Sequence, residues 1–265
     1  MSSLSQVVLI TGANSGIGYE AVKAFLKSPN PYHILLGSRS PEKGSAAISS
    51  LQEECPETTN TVETIEIDLT SDDSITKAYE RVSSSPGRLD VLVNNAGATF
   101  DLAHLSNECT LRSSFTCAYN TNVAGPHVLT STFMPLLLTS PSPRLIFISG
   151  LSHITQASES YFPTPPQPAG WPKAIDFETI GYRCSKTALN MLMLDWNHKL
   201  KADGVKVWGV MPGFLATNLG GRPEWVKEMG GGHASIGGEF VRDVVEGERD
   251  GDVGRIVKRG GGVPW

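Results

Sequence analysis

The chain has 265 residues, of which 40% are hydrophobic and 18% charged, and this composition suits one compact domain with a full apolar core. Intrinsically disordered and collagen-like chains have different compositions and are excluded. The formal charge is -5, from 22 basic and 27 acidic residues, so the electrostatics do not support binding to nucleic acid. A small molecule is the expected partner.

Short apolar runs alternate with helical patterns along the chain, which predicts βαβ units around a parallel sheet. The predicted strands are residues 7–11, 33–36, 64–69, 90–93, 145–149 and 205–210. The predicted helices are residues 16–27, 41–54, 72–82, 123–138, 182–202 and 238–245. The fold class is therefore α/β with a doubly wound parallel sheet. No linker or repeat divides the chain, so residues 1–265 are expected to form a single domain.

Two segments break the alternation. Residues 154–180 contain five prolines and are too long for an ordinary connection, and residues 214–237 are rich in glycine. We expect the first to be a substrate-loop insertion and the second to cover the substrate. Their large apolar side chains form either a pocket wall or plain core. These side chains are Phe162, Trp171, Phe177, Trp225 and Met229.

The cysteines lack the spacing of a metal site or a disulfide framework, which predicts free thiols and no bound metal. The longest stretch without a charged residue, 113–143, is interrupted by Pro126 and Pro135 and is polar in places. We therefore expect no membrane span, and we expect a cytoplasmic protein.

A glycine-rich turn, residues 11–18 with the spacing TGxxxGxG, joins the first strand to the first helix. Gly12 permits the tight turn, Gly16 lets a pyrophosphate approach the backbone, and Gly18 allows the helix to pack closely. The helix N-terminus attracts the anion. This context predicts a dinucleotide site.

Further landmarks follow in order: Asp68-Leu69, Asn94-Asn95-Ala96-Gly97, Asn122, Tyr182-x-x-x-Lys186, and Pro212-Gly213 with Thr217. Together with the turn they make the chain resemble the short-chain dehydrogenase/reductase family, and more narrowly its fungal carbonyl-reductase-like members. The resemblance implies a Rossmann fold, a nicotinamide cofactor and a homodimer or homotetramer. It also implies that the cofactor contacts Gly12, Ser15, Gly16, Ile17, Gly18, Asp68, Leu69, Asn95, Ala96, Tyr182, Lys186, Leu215 and Thr217.

Tyr182 and Lys186 are four residues apart on a predicted helix and therefore project from the same face. A neighbouring ammonium is expected to lower the pKa of the phenol toward the working range, which suits proton transfer. The resemblance implies that Lys186 also holds the nicotinamide ribose. It implies that Asn122 helps to relay protons to solvent.

The sequence departs from the family at the end of strand five. Family members commonly carry two serines there, and the second polarises the substrate oxygen, whereas this chain has Ser149 followed by Gly150. Ser149 is the first candidate for that role and Ser152 the second, and a site without a serine donor is the third possibility. His153 is a further candidate for polarising the oxygen.

The segment after strand two reads Gly37-Ser38-Arg39, with Lys43 one helical turn further, and it contains no carboxylate. Arg39 suits the 2'-phosphate of NADP, which favours NADP over NAD. The alternative is an ordinary solvated arginine.

An apolar set on the two long helices is either a surface that pairs subunits or a face that packs on the sheet. This set is Leu129, Phe133, Leu137, Leu189, Leu192 and Trp196.

The sequence thus predicts an NADP-dependent oxidoreductase that transfers hydride between the nicotinamide and a ketone or secondary alcohol of a small, lipophilic substrate. Tyr182, Lys186, Asn122 and Ser149 are the predicted catalytic residues. The alternatives are an NADP-binding sensor or scaffold without turnover, and a non-redox dehydratase or cyclase on the same scaffold.

Overall fold

The computed structural model describes residues 5–150, 152–162 and 165–265. Its strands are β1 (Gln6–Ile10), β2 (Tyr32–Ser38), β3 (Thr61–Glu66), β4 (Val91–Asn94), β5 (Arg144–Ile148), β6 (Lys206–Val210), β7 (Leu215–Ala216), β8 (Gly232–His233), β9 (Ile256–Lys258) and β10 (Gly261–Gly262). Its helices are α1 (Gly16–Leu26), α2 (Pro41–Glu54), α3 (Asp72–Ser84), α4 (Asp101–Leu105), α5 (Leu111–Tyr119), α6 (Gly125–Leu137), α7 (Ile154–Glu159), α8 (Ile180–Lys199), α9 (Pro223–Glu228) and α10 (Ala234–Val245).

The central sheet has eight strands in the order β10-β9-β6-β5-β4-β1-β2-β3. All its pairs are parallel except β9 with β10. The predicted doubly wound α/β fold is confirmed. Strands β2 and β3 are added on one side of β1, and β4 to β6 on the other side, so the strand order switches between β1 and β4. In such sheets ligands bind at the switch point, beyond the carboxyl ends of the strands. Strands β9 and β10 were not predicted, because two or three residues carry no readable periodicity.

Two apolar layers cover the sheet. Helices α3, α6 and α8 pack on one face, against side chains such as Leu9 and Phe147. Helices α1, α2 and α10 pack on the other face, against side chains such as Ile10 and Trp208. Because both faces of the sheet interior are buried, strands β1, β4 and β5 read as continuous apolar runs, whereas the edge strand β3 contains polar residues and is buried only at Ile65.

The long helix predicted over residues 123–138 is built differently. It begins as α5, passes through a π-helical turn at Asn120–Ala124, and continues as α6. The Gly125 N–H bonds to the Asn120 carbonyl, five residues back. Such turns are rare and often lie at functional sites. This one carries Asn122.

Other boundaries moved by a few residues. Strand β3 covers Thr61–Glu66 rather than residues 64–69, and α8 begins at Ile180 rather than at residue 182. The segment 154–180, predicted to be irregular, opens with the short helix α7. Element ends depend on tertiary contacts and are the least readable part of a sequence.

The apolar set proposed for subunit pairing mostly faces inward. Leu129, Phe133 and Leu137 are fully buried, and Leu189 and Trp196 are almost so. All five belong to the cluster that packs on the sheet, and Leu192 packs against it from the side. Of the two alternatives, packing on the sheet therefore holds for these five side chains, and only Leu192 keeps part of its surface outside the core.

Within the described part of the chain, no helix is both long enough and apolar enough to cross a membrane. The same residues contain no group of three or more His, Cys, Asp or Glu side chains that could hold a metal ion.

Candidate active site

The glycine-rich turn lies between β1 and α1 and packs against the segment after β4. Gly12 has φ +61°, and a Cβ on it would lie 2.9 Å from the Ala96 Cα. A Cβ on Gly18 would lie 2.5 Å from the Asn95 side-chain nitrogen. Both positions therefore require glycine, Gly12 for its backbone conformation and Gly18 for its close contact.

Asn95 and Ala96 hold this turn in place. The Asn95 side-chain amide donates to the Thr11 carbonyl at 2.7 Å, and the Ala96 N–H donates to Thr11 Oγ1 at 3.0 Å. These bonds fix the two loops that meet at the switch point of the sheet. The Asn95 side chain therefore has a structural role, since its amide is hydrogen-bonded to the turn.

A cleft of about 1520 Å³ opens above the carboxyl ends of the strands. Nearly all the residues predicted to contact a cofactor line it, and only Gly18, beneath the turn, does not. The lining includes Gly12, Ser15, Gly16, Ile17, Arg39, Asp68, Leu69, Asn95, Ala96, Tyr182, Lys186, Leu215 and Thr217. The turn brings exposed backbone and a helix N-terminus to this cleft, a cradle that fits a dinucleotide pyrophosphate.

Arg39, Lys43 and Asp68 lie together at the β2 end of the cleft. The Asp68 carboxylate accepts hydrogen bonds from the N–H and the hydroxyl of Thr70, at 2.9 and 2.7 Å. These bonds, with a smaller contribution from the charge of Arg39, lower the pKa of Asp68. Arg39 is exposed and makes no ion pair within the described residues, so its guanidinium is free to meet an anionic group.

Tyr182 reaches the floor of the cleft from the first turn of α8. Its hydroxyl rests against bare backbone, since a Cβ on Gly150 would lie 2.6 Å from Tyr182 Oη. Burial raises the pKa of Tyr182 above the usual tyrosine value. The phenol is therefore protonated at neutral pH, which is the form a proton donor needs.

Lys186 lies one turn further along α8 and is also buried. Its Nζ donates to the Ile148 carbonyl at 2.8 Å and lies 5.7 Å from the centre of the Tyr182 ring. Burial lowers the pKa of Lys186 to about 8. The lowered phenol pKa expected from the spacing is not found, because burial of Tyr182 raises its pKa instead.

Asn122 is fully buried on the π-helical turn. Its amide donates to the Ala98 carbonyl and accepts from the Ala98 N–H, both at 2.8 Å, and it donates to Ser185 Oγ at 2.9 Å. A Cβ on Gly97 would lie 3.3 Å from both Asn122 Oδ1 and Lys186 Nζ. Asn122 therefore joins the loop after β4 to the helix that carries Tyr182.

Asp101 is a residue of this site that the sequence analysis missed. Its carboxylate is buried and accepts the N–H groups of Gly181 and Tyr182, at 2.7 and 3.0 Å. It also accepts from the Thr99 hydroxyl at 3.0 Å. Asp101 thus caps the N-terminus of α8 from a distant part of the chain, a partner that no local pattern could indicate.

Aromatic side chains join the two segments predicted to surround the substrate. The rings of Phe162 and Phe214 meet edge to face at 5.3 Å, and those of Phe177 and Trp225 lie 4.4 Å apart at 30°. All four line the cleft. Trp171 and Met229 were expected either in the pocket wall or in the core, and they are in neither: they do not line the cleft, and they are 88% and 46% exposed.

The family model described as "short chain dehydrogenase" matches residues 6–160, more than half of the chain. The chain is 48% identical to the short-chain dehydrogenase/reductase tropE of Talaromyces stipitatus, over 97% of this chain and 96% of the relative. The chain belongs to the short-chain dehydrogenase/reductase family. This is a family of oxidoreductases, and the predicted membership is confirmed.

Other family members are similar over most of their length. The short-chain dehydrogenase/reductase eupG of a Phoma species is 44% identical over 92% of this chain and 91% of its own. Among solved structures, an NADPH-bound carbonyl reductase from chicken fatty liver superposes with a TM-score of 0.78 at 24% identity. It covers 98% of this chain and 99% of its own. At that identity the likeness concerns the fold.

The serines near the end of β5 form a closed ring of hydrogen bonds in this short-chain dehydrogenase/reductase. Ser149 Oγ donates to Asn190 Oδ1 at 2.8 Å, Asn190 Nδ2 donates to Ser152 Oγ at 2.9 Å, and the two hydroxyls lie 2.8 Å apart. Ser149 lines the cleft, whereas Ser152 does not. The ring nitrogens of His153 contact Met211 Sδ and the Pro264 carbonyl, so both are engaged within the protein, and His153 does not line the cleft.

Proposed function

We propose that the protein is an NADPH-dependent carbonyl reductase that converts a ketone or aldehyde of a small, lipophilic substrate into the alcohol. The observation that carries this proposal is the phenol of Tyr182, buried at the floor of the cleft, with Lys186 one turn further along α8 and Asn122 hydrogen-bonded to Ser185 of the same helix. Membership of an oxidoreductase family supports it. The aromatic walls of the cleft favour a lipophilic substrate.

Residues from several parts of the cleft would hold the cofactor. The glycine-rich turn would receive the pyrophosphate, Arg39 the 2'-phosphate, and Asp68 the adenine end. Leu215 and Thr217, which line the cleft, would hold the nicotinamide, and Lys186 would hold its ribose. When bound, the reduced nicotinamide supplies hydride to the carbonyl carbon.

The side chains supply the proton and the geometry. Tyr182 donates its proton to the substrate oxygen as negative charge develops there. The Lys186 ammonium, held by the Ile148 carbonyl, lies close enough to stabilise the resulting phenolate. Asn122 holds the loop after β4 against α8, so that the cofactor end and the proton donor keep their relative positions.

We also propose that two copies of the chain associate. A shallow apolar groove remains on the outer side of α5, α6 and α8, lined by Phe115, Tyr119, Val123, His127 and Leu192. A second copy would cover this groove. The cytoplasmic location stays a prediction, in keeping with the free thiols of the four cysteines.

The function is tested by following NADPH absorbance with a panel of lipophilic ketones, for the wild type and Tyr182→Phe. We expect turnover by the wild type and a loss of roughly 10² or more in the variant, because phenylalanine has no proton to donate. NADPH affinity should change little. If no ketone leads to NADPH oxidation, the remaining hypotheses are an NADP-binding sensor or scaffold and a non-redox enzyme. Near wild-type turnover of the variant would remove Tyr182 from the chemistry.

A further inference from the structure

The backbone of Gly150 occupies the place where family members carry a serine that polarises the substrate oxygen. An added Cβ there would lie 2.6 Å from Tyr182 Oη and 3.3 Å from Tyr182 Cζ. The second contact shows that the ring, and not only the hydroxyl, stands close. A serine at position 150 is therefore incompatible with the observed position of Tyr182.

The neighbouring serines do not replace the missing donor. The single hydroxyl proton of Ser149 is donated to Asn190 Oδ1. The proton of Ser152 is shared between Ser149 Oγ and the Gly150 carbonyl, at 2.8 and 3.2 Å. Asn190 is eight residues beyond Tyr182, about 12 Å along the helix axis. The ring of hydrogen bonds thus directs both hydroxyls toward the body of α8.

Two of the threonines that line the cleft, Thr99 and Thr179, do not present a free hydroxyl to the substrate either. The Thr99 hydroxyl donates to Asp101 at 3.0 Å. Thr179 Oγ1 has no hydrogen-bond partner among the described residues, and it is buried, so it presents almost no surface to the cleft. The substrate oxygen therefore receives the Tyr182 proton without a hydroxyl of Ser149, Ser152 or Thr99 beside it.

The walls of the cleft indicate what kind of carbonyl compound enters. Phe177 with Trp225, and Phe162 with Phe214, bring four aromatic rings to one cleft. Rings in such positions pack well against a flat aromatic molecule. An aromatic carbonyl compound can carry its own hydrogen-bond donor, a phenolic hydroxyl ortho to the carbonyl group. That hydroxyl bonds to the carbonyl oxygen from within the substrate.

We propose that the substrate is an aryl ketone or aldehyde with an ortho-hydroxyl group, and that this hydroxyl replaces the missing serine donor. The proposal rests on the carbonyl-reductase function proposed above. The carbonyl carbon gains hydride from a reduced nicotinamide, and the electron pair of the C=O π bond moves to oxygen. Oxygen then takes the Tyr182 proton, and the ortho-hydroxyl keeps its own proton throughout. The products are the benzylic alcohol and the oxidised nicotinamide. Tyr182 is left as a phenolate and regains a proton from water.

The test compares kcat/KM of the wild-type enzyme with NADPH and matched acetophenones. These are ortho-hydroxyacetophenone, ortho-methoxyacetophenone, para-hydroxyacetophenone and the electron-poor trifluoroacetophenone. The methoxy compound keeps a substituent at the same position without the donor, and the para isomer keeps the electronic effect of the hydroxyl. We expect the ortho-hydroxy compound to exceed both by at least about tenfold, the value of one hydrogen bond made in the transition state.

Trifluoroacetophenone separates failure of this proposal from failure of the proposed function, because its carbonyl is already activated. Reduction of trifluoroacetophenone, together with equal values for the ortho-hydroxy, ortho-methoxy and para-hydroxy compounds, would overturn the ortho-hydroxyl proposal and keep the carbonyl reductase. No NADPH oxidation with any of the four compounds would overturn both.

Discussion

Tyr182 and Lys186 illustrate at the scale of single residues how burial changes the chemistry that spacing suggests. Their separation of four residues correctly places them on one face of α8. Burial nevertheless raises the pKa of the phenol and lowers the pKa of the ammonium to about 8. Each group is therefore displaced toward its neutral form, since a buried charge loses its hydration.

The lowered pKa of Lys186 predicts a specific pH dependence of stability. Above pH 8 the folded protein releases the Lys186 proton, whereas an unfolded lysine keeps its proton to about pH 10.4. The unfolded state then binds more protons, so folding becomes more favourable as pH rises. Between pH 7 and 9.5, urea unfolding should show the wild type gaining about 1 to 2 kcal/mol relative to Lys186→Met. A difference that does not change with pH would contradict the pKa. Tyr182 is present in both proteins, so its own effect on the pH dependence cancels in the difference between their stabilities.

Arg39 predicts the cofactor preference. If its guanidinium binds the 2'-phosphate, Arg39→Ala should weaken NADPH binding by about 1.5 to 3 kcal/mol and NADH binding much less. Arg112→Ala is the matched control, because Arg112 is exposed on α5, outside the cleft, and its loss changes the net charge equally. Titration of both cofactors against the three proteins measures this. Equal weakening of NADPH and NADH by Arg39→Ala would make Arg39 an ordinary surface residue.

At the scale of elements, the position of α8 relative to the loop after β4 decides where Tyr182 stands. The residue preceding α8, Thr179, makes no side-chain cap, and Asp101 supplies the cap instead. A Cβ on Gly181 would lie 2.8 Å from Asp101 Oδ1, so glycine at that position gives the carboxylate its access. Asn122 makes a second connection to α8, from Ala98 in the loop after β4.

Asp101→Asn should lower both stability and turnover, because an amide nitrogen cannot accept the second helix N–H. We expect a loss of about 1 to 2 kcal/mol in unfolding free energy and a fall in kcat with little change in NADPH affinity. Ser71→Ala removes a comparable cap from α3, where Ser71 accepts the Ser74 N–H, and it is the matched control. That variant should lose similar stability at unchanged kcat. If both variants leave kcat unchanged, Asp101 does not position Tyr182.

At the scale of the whole molecule, the outer groove of α5, α6 and α8 predicts the assembly. Light scattering at micromolar concentration should give twice the mass of the chain for the wild type, and the mass of one chain for Leu192→Glu. Met191→Glu is the control, because Met191 is adjacent and 67% exposed but lies outside the groove. A single-chain mass for the wild type would end the proposal of a dimer.

The sequence by itself determined the features that depend on short separations along the chain. The apolar runs marked strands of the sheet interior such as β1, β4 and β5, because strands buried on both faces lack polar residues, and an alternating pattern marked the edge strand β3. The turn between Gly12 and Gly18 and the pairing of Tyr182 with Lys186 were readable because their residues are neighbours on one element. Even the absence of a serine at Gly150 was visible as a departure from a local pattern.

The tertiary structure decided whatever depends on residues far apart in the chain. Asp101 meets Tyr182 across about eighty positions, and Ser149 finds Asn190 across 41 positions, so neither contact leaves a periodic signal. The same holds for the inward direction of Leu129 and Phe133, which an apolar stripe does not specify. Protonation is also a tertiary property, because the pKa of Lys186 depends on which chain segments exclude water from it.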